Sequence, residues 1–302
     1  MGSTTCNNAT PKEGAELEPG DIAQRLAGGG AVQQLTGVTS LVGANQVFRI
    51  WRSGETAVVK VYGSDARERR ERHALNALER LDHLPLVMDG GVDGDRHWIL
   101  FVDAGKWNLQ TLPENPGLGR AAGSLLRDLH EHDTVAITNL ARGIDQEWVS
   151  IDFVSTLRRL ERFSGRVGLS AELVGAAMEV NPPFASEPGV AHTDTTPRNF
   201  VVDDAGNITL ISWEWATLAP PEWDLSKVVW SIGMHAGPTA AKAVVEGYGR
   251  RIDPIQLDRW IVYHAAQALV NHAERNLLSR PTDAPSDLVH EFNRAVLGAG
   301  AR

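Results

Sequence analysis

The sequence predicts an α+β protein in two parts, an antiparallel sheet with one helix followed by a mostly helical region. Three observations carry that prediction. The chain has 302 residues, and at roughly 150 residues per domain that length makes two parts. Short β-branched segments punctuated by turn residues dominate up to about residue 102. From about residue 117 onward, apolar residues recur at a spacing near 3.6.

The elements follow in order. Residues 1–20 hold Pro11, Pro19 and scattered Gly, Ser, Thr and Asn without periodicity, and read as a disordered tail. Asp21 is placed to N-cap a short helix with Ile22 and Leu26 on one face, stopped at Gly28-Gly29-Gly30. Strands are expected at Val32–Val38, Gln46–Trp51 and Ala57–Tyr62, with Ser53-Gly54 turning the last two. Residues 65–82 form an amphipathic helix whose Ala74, Leu75, Leu78 and Leu81 face a core. Two more strands, Leu86–Met88 and His97–Val102, flank a turn at Gly90–Gly94. Helices are expected at Gly119–His130, Ile151–Phe163, Ala240–Tyr248 and Leu257–Leu277, and a last one at Asp287–Leu297 after a loop from Pro281 to Pro285. Among them lies a strand pair, Phe200–Val202 and Ile208–Ile211, joined by the hairpin turn Asp203–Asn207. This makes a tail of residues 1–20, a first lobe of 21–102 and a second of 103–302.

Composition narrows the function. Thirty-eight acids against 29 bases, a net charge of -9, leave no basic footprint for nucleic acid. The single cysteine, Cys6, excludes an internal disulfide framework and a Cys-based zinc site. No window approaches the ~18 apolar residues of a membrane helix, and the start lacks the basic and apolar regions of a signal peptide. No membrane or nucleic-acid partner is expected, and the cytoplasm is the expected location. Residues 1–102 carry 13 acids and 11 bases, residues 103–302 carry 25 and 18. An acidic second lobe suits a cationic substrate; a solvated acidic surface explains it equally well.

The segment that carries chemistry is His192-Thr-Asp194-Thr-Thr-Pro-Arg-Asn199. Its spacing, His-x-Asp-x-x-x-x-Asn, is that of the catalytic loop of protein kinases. A carboxylate there accepts the proton of an attacking hydroxyl, and an amide five residues later turns back to hold a metal on the phosphates. The His packs under the loop and fixes its backbone. The same chemistry asks for a strand lysine on the phosphates and a helix glutamate. Lys60, in Ala57-Val-Val-Lys-Val-Tyr62, is the candidate lysine, against the plain alternative of a solvated edge lysine. Glu71 is its best helix partner and Glu68 the second choice. The segment Thr36–Asn45 lacks a Gly-x-Gly-x-x-Gly pattern; its backbone N–H groups, Ser40 and Asn45 suit a phosphate cradle as well as they suit an ordinary hairpin.

These residues resemble the aminoglycoside phosphotransferase and choline kinase-like family, small-molecule relatives of protein kinases. The carriers are Val58-Val-Lys60, Arg70-Glu71, Leu125–His130, the His192–Asn199 loop, and Trp213-Glu-Trp-Ala216 followed by Pro220-Pro-Glu-Trp-Asp-Leu225. The resemblance, from about residue 30 to at least 265, implies a bilobal protein-kinase-like fold. It implies ATP-dependent, Mg²⁺-assisted transfer of phosphate to a hydroxyl of a small, often cationic, molecule. Asp194 is then the catalytic base and Asn199 a metal ligand. Lys60 binds phosphate with Glu71 orienting it, and adenine hangs on the backbone of the connector Phe101-Val-Asp103. Asp224 caps the helix that follows it and braces the loop together with His192.

One position departs from the family. An Asp normally precedes the Trp-Glu pair and holds Mg²⁺; here that position is Ser212. A neutral hydroxyl is a poor substitute for a carboxylate, since Mg²⁺ prefers hard anionic oxygen. Glu214, two residues on, shares a face with Ser212 if the strand continues. The departure keeps open a second reading, a kinase-like binding protein impaired in transfer. His130-Glu-His132 is discounted as a metal pair because positions i and i+2 diverge on a helix. The tryptophans at 213, 215, 223 and 230 are expected in the core, with a stacking wall for substrate as the alternative.

Overall fold

The computed structural model describes residues 18–36, 44–112, 114–132, 143–250, 252–276 and 284–300. The expected tail through residue 17, Ser40, and most of the loop at 281–285 lie outside the described residues. The chain divides into two units, Met1–Arg69 with Leu86–Asp103 and Arg70–Pro85 with Ala104–Arg302.

The first unit contains helix α1 (Pro19–Ala27) and strands β1 (Val32–Gln34), β2 (Gln46–Arg52) and β3 (Glu55–Val61). Helix α2 (Asp65–Ala77) follows, then β4 (Val87–Asp93) and β5 (Arg96–Val102). The strands make one antiparallel sheet in the order β1-β2-β3-β5-β4. Ser53 and Gly54, at φ 51° and 86°, supply the left-handed pair that a two-residue hairpin requires. Ile22, Ala23 and Ala27 of α1 pack on Phe48, Ile50 and Val59, burying one face of the sheet. Alternation along β3 sends Lys60 to the opposite face from Val59 and Val61. There, paired with Val47 and Ile99 in the middle of the sheet, Lys60 is only 6% exposed. The solvated edge lysine is excluded.

Several boundaries differ from the sequence expectation, and three of them have a local physical reason. Helix α1 begins at Pro19, inside the expected tail; its N-cap is Glu18, and Asp21 stands at the third helical position, accepting the Glu18 N–H at 3.3 Å. Gly90 and Gly91 lie within β4 and not in a turn. A side chain on Gly91 would meet the Trp98 indole at 2.9 Å, so the glycine allows close approach, and the turn falls at Gly94 with φ 62°. Helix α2 ends at Ala77, short of 82, and crosses from one unit into the other. The chain then leaves the helix through His83, at φ 69°. The His83 carbonyl accepts the Leu210 N–H at 3.0 Å and its Nδ1 meets the Ile208 carbonyl at 3.0 Å.

The second unit continues with β6 (Trp107–Asn108), α3 (Pro116–His130), α4 (Gln146–Phe163), α5 (Ala171–Met178), β7 (Gly189–Ala191), β8 (Phe200–Val202) and β9 (Ile208–Leu210). After these come β10 (Thr217–Ala219), α6 (Pro221–Ala236), α7 (Pro238–Tyr248), α8 (Pro254–Arg275) and α9 (Ser286–Gly298). Asn115, Asp145, Ser170 and Asp253 cap α3, α4, α5 and α8 by accepting first-turn N–H groups. Helix α8 is central: Trp260 and Tyr263 are fully buried against Phe153 of α4 and Phe292 of α9. Each such ring contributes about 1.5–3 kcal/mol through burial. Helices α3 and α7 meet backbone to backbone. A Cβ on Gly123 would fall 2.0 Å from the Val244 carbonyl oxygen, and one on Gly247 2.0 Å from that of Arg120. Two short antiparallel groups, β7 with β10 and β6-β8-β9, frame the loop between β7 and β8. No helix among the described residues is long and apolar enough to cross a membrane.

Candidate active site

The loop between β7 and β8 is held from beneath by Asp224. This residue lies in the first turn of α6 and is fully buried. It does not cap α6, whose N-cap is Pro220; its carboxylate turns to the loop instead. Oδ2 accepts the His192 N–H at 2.7 Å, Oδ1 accepts the Thr193 N–H at 2.8 Å, and Thr195 Oγ1 donates to the Asp224 carbonyl at 2.8 Å. His130 Nε2, 3.3 Å from Oδ2, closes the network, with its Nδ1 on the Tyr248 hydroxyl at 2.9 Å. Burial works to raise the Asp224 pKa, but the hydrogen bonds from His130 and from the His192 N–H override it and hold the pKa below its ordinary value.

His192 is buried and packs edge-on against Trp213, ring centroids 4.7 Å apart. The tautomer with a proton on Nε2 satisfies both ring nitrogens: Nε2 donates to the Ile211 carbonyl at 2.9 Å and Nδ1 accepts the Asp194 N–H at 3.2 Å. Burial lowers its pKa and keeps it neutral. Thr193 has φ 65°, a left-handed conformation that a β-branched residue rarely adopts. Every polar atom of Thr193 is engaged. Its N–H goes to Asp224, its hydroxyl donates to the Trp215 carbonyl at 2.9 Å, and its carbonyl accepts from Trp223 Nε1 at 3.2 Å and Lys227 Nζ at 2.9 Å. The surroundings thus over-determine a strained backbone next to Asp194.

Both carboxylate oxygens of Asp194 are engaged. Oδ1 accepts from Lys227 Nζ at 3.0 Å and Oδ2 from Asn199 Nδ2 at 2.9 Å, with Arg198 at 3.6 Å from Oδ2. Asn199 Nδ2 also donates to the Asp194 carbonyl at 2.7 Å. Burial acts to raise the Asp194 pKa, and the charge and hydrogen bond of Lys227, helped by Arg198, bring it down to about 2. Asp194 therefore stays ionised throughout the neutral range and retains lone pairs for a hydroxyl.

The structure thus brings Asp194, Asn199, His192 and Asp224 into one network. Glu71, 1% exposed, accepts the Trp213 N–H at 3.0 Å, next to Ser212. Glu68 lies in the first unit, 3.6 Å from His97. Lys60, Asn45, Phe101 and Asp103 also belong to the first unit. The Lys60 ammonium stands 5.1 Å from the Tyr62 ring centroid. Asn45 Oδ1 accepts the Gly63 N–H at 3.1 Å, and Asp103 takes Arg49 on both oxygens at 2.6 and 3.0 Å, so these side chains brace their own unit. Phe101 lies in β5 opposite Val58 and Val87, and the Val102 N–H goes to the Leu86 carbonyl at 2.9 Å.

Residues 212 and 214 do not share a strand face. Ser212 has φ 73° and ψ 60°, and Trp213–Trp215 form a 3₁₀ turn, so the strand has ended. The donor set does not fit the Mg²⁺ site that the family resemblance implies. Asn199, like any amide, offers a metal only its neutral Oδ1, and Ser212 offers a neutral hydroxyl. The charge of Asp194 is met by Lys227. Glu214, 8% exposed, is the one carboxylate of the expected metal-binding set, whereas Mg²⁺ asks for well-placed anionic oxygens. Among the described residues no three His, Cys, Asp or Glu side chains gather as a metal group, and His130 serves Asp224 and Tyr248.

Asp194 opens onto a cavity of about 830 Å³ in the second unit. Trp213, Trp223 and Trp230 are buried, and Trp223 also lines the cavity, as does Trp215, 48% exposed, with Arg70 stacked 5.0 Å from its ring centroid. The wall carries Arg70, Arg159, Lys227 and Arg275 beside Asp152, Asp194 and Glu214. It is not the acidic surface suggested by the charge of residues 103–302. Lys227 and Thr193 escaped the sequence reading. Spacing held the signal for Lys227: it follows Asp224 by three residues, one helical turn, and so faces the same loop.

The family model described as phosphotransferase enzyme family matches residues 38–260. No curated protein sequence matches the chain. Among solved structures, spectinomycin phosphotransferase in complex with ADP and spectinomycin superimposes with a TM-score of 0.65 at 16% identity, covering 95% of this chain and 99% of its own. Macrolide 2'-phosphotransferase from Brachybacterium faecium gives 0.61 at 15% identity, covering 91% and 96%. Choline kinase from Streptococcus pneumoniae gives 0.59 at 14% identity, covering 94% and 99%. The fold is that of these bilobal, protein-kinase-like proteins.

Proposed function

The chain belongs to the phosphotransferase enzyme family, and from that premise we propose that it moves the γ-phosphoryl group of ATP to a hydroxyl of a small molecule bound in the cavity beside Asp194. The observation that carries this reading is the Asp194 carboxylate, ionised and clamped between Lys227 and Asn199 at the cavity wall. The ADP of the spectinomycin phosphotransferase complex supports ATP as donor. The acceptor hydroxyl hydrogen-bonds Asp194 and attacks the γ-phosphorus in line. Its oxygen forms the new P–O bond while the bond to the β,γ-bridging oxygen breaks, and ADP leaves with that electron pair. The hydroxyl proton passes to Asp194 and then to solvent. A transition state of loose character asks little basicity of the carboxylate, so a group with a pKa of about 2 can orient the hydroxyl and take the proton late. Lys60, a buried ammonium in the first unit, is the phosphate-binding cation of this reading.

The test is ATP-to-ADP turnover against aminoglycosides, a macrolide, choline and sugar alcohols, with the phosphorylated product identified by ³¹P NMR. Asp194→Asn should lower turnover about 10²–10⁴-fold, the usual loss for a general base. Near-normal turnover in that variant removes Asp194 from the mechanism. Ser212 favours a second reading, a nucleotide- or metabolite-binding protein impaired in transfer. Nucleotide binding without turnover on any acceptor would select it.

A further inference from the structure

Lys227 carries more than a structural salt bridge explains. Asp224 and Lys227 occupy one face of α6, a turn apart, and Asp224 fixes the backbone of His192 and Thr193. The helix therefore delivers the Lys227 ammonium to the same loop, 2.9 Å from the Thr193 carbonyl and 3.0 Å from Asp194 Oδ1. Two of the three ammonium donors are used there, and the side chain, 20% exposed, forms part of the cavity wall. Bracing alone would need only a neutral donor, whereas a charge placed here weakens the proton affinity of the one group that must meet the hydroxyl.

The charge makes sense if a second anion arrives. A hydroxyl within hydrogen-bond reach of Asp194 lies ~2.6–3.2 Å from it, and its phosphorus ~3–3.5 Å further on. Oxygens on that phosphorus come within reach of a cation already 3.0 Å from Oδ1. Phosphoryl transfer gathers negative charge on those oxygens, which a cation must offset. The usual source is a metal held in part by the carboxylate that is missing at Ser212.

We propose that Lys227 is a catalytic residue, the fixed cation that meets the transferred phosphoryl group and takes over charge stabilisation where position 212 brings no metal-binding carboxylate. This rests on the phosphotransferase reading. Lys227 holds the carboxylate with one N–H and turns its remaining donor to the phosphoryl oxygens, so the ion pair is the resting form of a site that binds its second anion during transfer.

The experiment compares wild type with Lys227→Gln, which keeps a hydrogen-bond donor without charge, and Lys227→Arg, which keeps the charge. Steady-state kinetics give kcat and KM on the best acceptor of the panel. Calorimetry gives the affinity for ADP alone and for ADP with aluminium fluoride, a mimic of the transferring group. Lys227→Gln should lower kcat per folded molecule about 10²-fold, the scale of losing one oxyanion donor, with KM for ATP within about threefold and a modest fall in melting temperature from the lost ion pair with Asp194. It should also lose the extra affinity for the fluoride mimic while retaining ADP. Lys227→Arg should recover most of both. Equal kcat in the Gln variant, or an Arg variant no better than Gln, overturns the assignment. So does a wild type that binds the mimic no better than ADP. If the mimic result holds while no acceptor is turned over, Lys227 stands and the transfer reading fails.

Discussion

The carboxylate of Asp224 holds Thr193 in a left-handed conformation, accepting its N–H at 2.8 Å while φ stands at 65°. Four hydrogen bonds on one threonine offset a backbone cost of about 1–3 kcal/mol and set the direction in which Asp194 leaves the loop. Removing Asp224 releases this arrangement and strands buried N–H groups. Asp224→Asn, which keeps the shape and one acceptor, should cost about 2–4 kcal/mol in urea unfolding and lower turnover with it. A variant as stable and as active as wild type would show that the buried carboxylate is dispensable.

The same residue sets a pH dependence. Asp224 and Asp194 both have folded pKa values below 3.8, that of Asp194 at about 2. Carboxylates depressed on folding contribute stability that is present above the unfolded pKa and lost as pH falls through the folded value. Wild type should therefore lose stability between about pH 4 and pH 2, and Asp194→Asn or Asp224→Asn should flatten that loss. Denaturant midpoints measured across this window check it, and parallel curves for wild type and both variants would contradict the assignment.

Lys60→Met retains the aliphatic stem in the middle of the sheet and removes the charge. Nucleotide affinity should fall at least about tenfold, one ion pair's worth, while acceptor KM stays within about threefold. Unchanged affinity for ADP in calorimetry would take Lys60 out of the nucleotide site.

Gly123→Ala separates fold from chemistry. The added methyl would press on the Val244 carbonyl at 2.0 Å, so α3 and α7 must part, at a cost of about 1–3 kcal/mol. Thermal melting should show the drop, with kcat per folded molecule preserved; a loss of kcat without a loss of stability would tie this helix pair to the site.

These sites differ in how plainly the chain announces them. The hairpin at Ser53-Gly54 and the helices α3, α4, α7 and α8 were legible because turn chemistry and 3.6-residue spacing are local. That His192, Asp194 and Asn199 lie together was legible because five residues of loop are enough to bring an amide back to a carboxylate; the amide was expected to hold a metal, and here its Nδ2 bonds Asp194 at 2.9 Å. Gly90 and Gly91 misled because glycine serves close approach as well as turns, and the indole that needs the room, Trp98, lies seven residues beyond Gly91. Asp224 read as a helix cap because Asp near a helix start usually is one, whereas its real partners lie 31 and 32 residues upstream. Lys227 was hidden for the same reason: its role depends on which loop α6 packs beneath.

Ser212→Asp gives the last test, and the backbone sets its terms. Ser212 already stands at φ 73° and ψ 60°, a left-handed conformation that Asp and Asn tolerate better than most residues. The substitution therefore asks for no backbone change, and the melting temperature should hold within about 2 °C, about 1 kcal/mol for a chain of this size. The new carboxylate adds an anionic oxygen beside the Trp213 N–H that Glu71 accepts at 3.0 Å, and with the neutral oxygen of Asn199 it makes a donor set that Mg²⁺ takes. Calorimetry of ADP with and without Mg²⁺ should show little metal linkage in wild type and a gain of about tenfold or more in the variant. Combined with Lys227→Gln, it should restore part of the lost turnover, now in a Mg²⁺-dependent form, because a metal then supplies the charge that the ammonium supplied. Strong Mg²⁺ linkage in wild type, or none in Ser212→Asp, would show that position 212 does not govern the metal.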